Sequence, residues 1–139
     1  MSFDWNLDNT AAYSLVTKFE YDAAFTYADM RPGNTDKEKR ELIRGFASLS
    51  FPTEVPQAKW FAFRIIVQKG GTRAFDIENV PKLIIDSFCK KQIEKDCSAY
   101  LKVGLFPDDT IDFVRLMQVA GTRIADQSKT IVSVYGFVG

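Results

Sequence analysis

From Lys18 the chain alternates at period two. Phe19, Tyr21, Ala23, Phe25 and Tyr27 face one way, and Lys18, Glu20 and Asp22 the other. That is the signature of a strand with one wetter face. Arg31-Pro32-Gly33-Asn34 is turn chemistry and closes it. Thr35-Asp36-Lys37-Glu38 then has the pattern of a capping box, with Thr35 as N-cap. The helix it opens carries Leu42, Phe46 and Leu49 on one stripe and stops ahead of Pro52. A second strand is expected over 59–68. Phe61, Phe63, Ile65 and Val67 make its apolar face, and Trp60, Ala62, Arg64 and Ile66 its mixed face. Apolar residues on both faces place it inside the sheet, and Gly70-Gly71 ends it. A second helix spans 80–96 with Ile84, Phe88 and Cys89 turned inward. After a connector over 97–106, strands over 113–120 and 130–138 flank the polar turn Asp126-Gln127-Ser128. The order β-α-β-α-β-β predicts an α/β (α+β) single domain, a four-stranded mixed sheet with helices on one side. Residues 1–14 read as a lead-in and 15–139 as the domain.

Composition narrows the chemistry. With 139 residues, 46% hydrophobic and 26% charged, the chain suits one folded domain rather than a disordered segment. It has no histidine. That excludes Ser-His-Asp and Cys-His triads, histidine-ligated zinc or haem, and histidine general bases. The two cysteines, Cys89 and Cys97, are too few for a four-ligand zinc site. Eight residues apart in one predicted helix, they would stand about 12 Å apart, beyond disulfide reach. Reduced cysteines point to the cytoplasm. No apolar run reaches the length of a membrane span, and no signal peptide is expected. Net charge is zero but uneven. Residues 1–34 carry −3, whereas no acid lies between Glu54 and Asp76, where Lys59, Arg64, Lys69 and Arg73 stand. A local basic surface is therefore compatible with zero overall charge.

The most informative stretch is Arg73-Ala74-Phe75-Asp76-Ile77-Glu78-Asn79-Val80-Pro81-Lys82. Proline fits only in the first turn of a helix, which sets the start near Asn79, a good N-cap. Asp76 and Glu78 then precede the helix in extended chain, with both carboxylates on one side. Two carboxylates at the mouth of a helix make a candidate hard-cation site, because Mg²⁺ takes one or two carboxylates with water and phosphate oxygens. The plainer reading is a solvated ladder, since Glu78, Lys82 and Asp86 follow one another at i, i+4, i+8. A second acidic cluster, Leu105-Phe106-Pro107-Asp108-Asp109-Thr110, reads by itself as a turn. The two clusters flank the same helix and meet only if the connector folds back along it.

The run Asp76-x-Glu78-Asn79-x-x-Lys82-x-x-x-Asp86, followed by Asp108-Asp109, resembles the RusA family of Holliday junction resolvases. The order of elements from about residue 15 onward is also similar to that family. The resemblance implies a Mg²⁺-dependent endonuclease, with Mn²⁺ able to substitute, acting on four-way or other branched DNA. Carried over residue by residue, it makes Asp76, Glu78 and Asp109 the metal ligands and Lys82 a catalytic assistant. Asn79, Asp86 and Asp108 would stand behind them. Lys69, Arg73, Lys90 and Lys91 are candidates for DNA-backbone contacts, and each is by default a solvated surface charge. Symmetric cutting of a four-way junction needs two sites, hence a homodimer. Two rivals stay open: a noncatalytic DNA- or partner-binding module on the same fold, and a generic interaction protein whose carboxylates are only surface.

Overall fold

The computed structural model describes residues 3–27 and 35–139. The turn expected at Arg31–Asn34 lies outside them. Strands β1 (Tyr13–Tyr21), β2 (Phe61–Gly70), β3 (Val114–Ile124) and β4 (Lys129–Phe137) form one mixed sheet in the order β1-β4-β2-β3. β4 runs antiparallel to both β1 and β2, and β3 runs parallel to β2. A parallel neighbour requires a crossover, and the segment between β2 and β3 supplies it with helices α2 (Val80–Ser87) and α3 (Lys90–Lys95). Helix α1 (Asp36–Ser50) lies between β1 and β2 in sequence. The architecture is the α+β domain the periodicity predicts, with β2 interior. At its end, Gly71 sits at φ +75°, and a Cβ on Gly70 would lie 2.2 Å from the Asp126 carbonyl. Neither position admits a side chain without strain.

All three helices contribute to one core. Ile43 and Ala47 of α1, Leu83 and Ile84 of α2 and Ile93 of α3 meet Phe63, Ile65, Val132 and Val134 of the sheet. Burying each large apolar side chain contributes about 1.5–3 kcal/mol. The opposite sheet face carries a smaller cluster, in which Leu7 and Ala12 of the lead-in pack with Tyr13, Trp60, Ala62 and Leu116.

Four local expectations change. β1 begins at Tyr13, inside the predicted lead-in, and ends at Tyr21 rather than Tyr27. A bulge between Leu15 and Thr17 turns Val16 and Thr17 inward together, which erases the alternation by which its first half would be recognised. In α1 the capping box of Thr35 and Glu38 forms as predicted, but the stripe Leu42, Phe46 and Leu49 faces outward, at 41%, 38% and 84% exposure. The buried face is Lys39, Ile43, Arg44 and Ala47. The second helix is two helices, because Cys89 adopts extended geometry (φ −82°, ψ 122°). It pairs there with Phe106: the Lys90 amide donates to the Phe106 carbonyl and the Leu105 amide to the Phe88 carbonyl, both at 2.9 Å. Finally, Ile77–Asn79 is a 3-10 turn, so Glu78 is not in extended chain. Asn79 is correspondingly helical (φ −88°, ψ −5°) and its side chain caps nothing, since a capping residue needs extended geometry. Cys89 and Cys97 are free thiols, one buried and one exposed. Among the described residues, no helix is long and apolar enough to cross a membrane.

Arg44 explains why α1 is turned this way. Its side chain is fully buried; Nε donates to the Ser87 carbonyl at 2.8 Å, Nη2 to Asp96 at 3.0 Å and Nη1 to Glu41 at 3.3 Å. Arg40, one turn earlier, grips both Asp96 oxygens through Nε (2.7 Å) and Nη2 (2.9 Å). Burial alone pushes the Asp96 carboxyl up, but hydrogen bonds from Arg40, Gln92 and Arg44 outweigh it and hold the pKa down to about 2. A folded pKa below the unfolded value contributes stability that is present above about pH 4 and lost as pH falls through about 2, worth about 2 kcal/mol. Asp96→Asn should therefore destabilise the domain in urea denaturation at pH 7, and the gap to wild type should narrow steadily from pH 4 to pH 2. Asp96→Ala, which leaves Arg44 buried against a cavity, should cost more, about 3–5 kcal/mol.

Candidate functional site

Helix α2 starts at Val80 with Pro81 in its first turn, so Lys82 and Asp86 stand one turn apart on the same side. Lys82 Nζ donates to Asp86 Oδ1 at 3.0 Å. The pairing of Cys89 with Phe106 brings the connector back along α2, and Cys89 Sγ lies 3.7 Å from the Pro107 carbonyl. Asp109, two residues beyond Pro107, thereby accepts a second hydrogen bond from Lys82. Asp108 turns its carboxylate onto the Asp109 amide at 2.9 Å, the Asx chemistry of a turn. Lys82, Asp86 and Asp109 converge across 27 residues of sequence because two short stretches of backbone pair. The lysine side chain is 58% exposed, that of Asp109 25% and that of Asp86 12%.

The charges tune one another. Partial burial alone lowers the Lys82 pKa, but its hydrogen bonds to Asp109 and Asp86 more than reverse this and hold it above its ordinary value. The Lys82 ammonium in turn holds the Asp109 carboxyl below the usual carboxylate range, against a smaller opposing effect of burial. Behind Asp86 stands Tyr27, whose hydroxyl donates to Asp86 Oδ2 at 2.6 Å and accepts from Arg40 Nη1 at 2.9 Å. Burial first, and the carboxylate it bonds second, push the Tyr27 phenol well above its ordinary value.

The remaining sequence candidates are dispersed. Asp76 and Glu78 are exposed on the approach to α2, and Glu78 takes no part in the ladder with Lys82. Between these acids, Phe75 and Ile77 turn toward the sheet and line, with Val67, Val119 and Arg123, a cleft of about 550 Å³. Among the described residues, no three carboxylates or thiols are gathered so as to hold a metal ion. Lys69 lies at the end of β2 with Nζ 5.6 Å from the centre of the Phe75 ring, and exposed Arg73 accepts through its carbonyl from Arg123. Lys90 and Lys91 open α3, so along the chain two of the four proposed DNA-contacting cations precede α2 and two follow it. Sequence reasoning missed Tyr27 and Arg40. Tyr27 reads as one more inward position of a strand that in fact ends earlier. Arg40 and Arg44, spaced i, i+4 beside Ile43 and Ala47, are the one available signal that this helix face buries an acid.

No protein-family model matches the chain, and no curated protein matches it. Among solved structures, the HypE–HypF complex is similar at a TM-score of 0.31 and 16% identity, over 93% of this chain. The chain spans about a third (34%) of that one, and likeness of this degree carries no conclusion about activity.

Since Lys82 is what holds the Asp109 carboxyl down, Lys82→Ala should let it rise toward its ordinary value in a ¹³C-detected NMR titration. The loss of an exposed ion pair should lower stability by less than about 1 kcal/mol. An unchanged Asp109 titration would show that the two side chains do not meet in solution.

Proposed function

We propose that this protein hydrolyses phosphodiester bonds of branched DNA, with Lys82 as the residue that meets the phosphate or the departing oxygen. The observation that carries the reading is the convergence of Lys82, Asp86 and Asp109. Three positions of the motif that resembles the RusA family come together although 27 residues separate the first from the last. A surface ladder needs only Lys82 and Asp86, four residues apart on one helix. It gives no reason for the connector to deliver a second carboxylate to the same ammonium.

Mg²⁺ is the ion this reading implies, and carboxylates are the right class of donor for it. As they stand, Asp76, Glu78 and Asp109 do not fit a ready three-carboxylate site, so the weight falls on Lys82. The local charge balance nevertheless bears on the ion. Asp86 and Asp109, both hydrogen-bonded to Lys82, outnumber it two to one. A phosphodiester arriving there is repelled unless a cation accompanies it. Cleavage is therefore expected only with Mg²⁺ or Mn²⁺ present.

The rival is a binding module on the same fold, and the ungathered acids favour it. One comparison separates the two. Wild type should cut a four-way junction in Mg²⁺ or Mn²⁺, whereas Lys82→Ala should bind that junction as tightly and cut it about 100-fold more slowly, the scale of a lost transition-state contact. Equal rates in the two proteins would remove Lys82 from the chemistry. Junction binding without cleavage in wild type, under either ion, would hand the function to the binding module.

Paired cutting further calls for a homodimer. The sheet face away from the helices offers a surface for it, with Leu15 51% and Ile66 36% exposed. Light scattering at micromolar concentration should give twice the 15.8 kDa chain mass. A monomer both with and without junction DNA would leave a nuclease but no symmetric resolvase.

A further inference from the structure

We infer that Tyr27 is a positioning residue for Lys82, the side-chain link by which the buried arginine–aspartate network sets where the lysine ammonium points. The role of Lys82 in cleavage rests on the function proposed above; the link itself rests on hydrogen-bond geometry alone. Hydrogen bonds run unbroken from Asp96 to Arg40, from Arg40 to Tyr27, from Tyr27 to Asp86, from Asp86 to Lys82, and from Lys82 to Asp109.

Donor counting fixes the direction of every step. A guanidinium can only donate, so the Tyr27 oxygen must accept from Arg40. Its one proton then has a single destination, Asp86 Oδ2. That leaves Oδ1 as the Asp86 oxygen facing Lys82. Held from opposite sides, the carboxylate cannot rotate without breaking a charge-assisted bond. Lys82 is otherwise a long, half-exposed side chain with several rotatable bonds, and only the placement of Asp86 and Asp109 narrows where it points. Arg40 is itself immobilised, since two of its nitrogens hold the two oxygens of Asp96. Arg44 holds the backbone of α2 at the Ser87 carbonyl, and the phenol adds a side-chain connection from that rigid buried network to an exposed lysine. Phenylalanine at position 27 would keep the ring and delete only this link.

The test uses the full chain with ¹⁵N-labelled lysine, without added metal or DNA, and identifies the Lys82 ammonium signal by its loss in Lys82→Ala. At low temperature and mildly acidic pH, wild type should give an Nζ signal resolved from those of the averaged surface lysines. In Tyr27→Phe it should broaden or merge with the averaged surface lysines, while circular dichroism and the melting transition show a folded domain. In the cleavage assay Tyr27→Phe should lower kcat about 10- to 100-fold with KM for the junction unchanged. Tyr27→Phe combined with Lys82→Ala should be no slower than Lys82→Ala alone, because both act through one group. A Lys82 signal identical in wild type and Tyr27→Phe overturns the inference whether or not the protein cuts DNA. So does a displaced Lys82 signal with an unchanged kcat. If wild type cuts nothing, the proposed function fails, and the NMR comparison alone decides the link.

Discussion

A guanidinium with no exposed surface has to find acceptors inside the protein, and Arg44 imposes that requirement on everything around it. Its partners outside α1 are the Ser87 carbonyl at the end of α2 and Asp96 just past the end of α3. Satisfying both brings the ends of two helices to the flank of α1. Arg40 uses the same Asp96 and so fixes the azimuth of α1 as well as its position. A buried ion group of this kind contributes little net stability, since desolvation offsets most of the attraction. Its effect is on specificity. Rotating α1 to bury Leu42, Phe46 and Leu49 would gain apolar contacts but leave Arg44 and Asp96 unpaired, and an unpaired buried charge costs more than those contacts return.

The features legible in the sequence were those set by local chemistry. The period-two run of β2, the Thr35–Glu38 capping box, Pro81 at the start of α2 and the turn at Asp126–Ser128 each follow from residues within a few positions of one another. The features that escaped were set by partners distant in the chain. Apolar periodicity pointed to the wrong face of α1 because the deciding residues on its buried face are arginines, whose acid lies 52 and 56 positions away. The break between α2 and α3 has no proline or glycine to announce it. It exists because Cys89 pairs with Phe106. The bulge in β1 hid in the same way, since two consecutive inward residues look like noise in an alternating pattern.

The candidate site divides along the same line. Lys82 and Asp86 were readable as neighbours on one helix face, because spacing alone determines that. Whether Asp109 joined them depended on the path of the connector, which no local rule sets, and that path follows from the Cys89–Phe106 pairing. Glu78 was placed by assuming extended chain up to Asn79. The 3-10 turn takes that residue out of the ladder, and the i, i+4 pair that survives is the one inside the helix proper.

Exposure rises along this chain of contacts from the buried pair to Lys82, and the gradient has a chemical consequence. The Arg44–Asp96 pair is 0% and 5% exposed, the Asp86 side chain 12%, Asp109 25% and Lys82 58%. Screening by water grows in the same direction, so the energy needed to break each link falls from several kcal/mol at the buried end to about 1 kcal/mol or less at the tip. Lys82 can therefore exchange Asp109 for another anion at little cost to the fold, whereas its hold on Asp86 is anchored from behind. A lysine tethered on one side and loosely partnered on the other has a side open to an anion, which is what the proposed reaction asks of it. In a uniformly buried cluster the ammonium would be locked in place, and in a uniformly exposed one it would have no preferred direction.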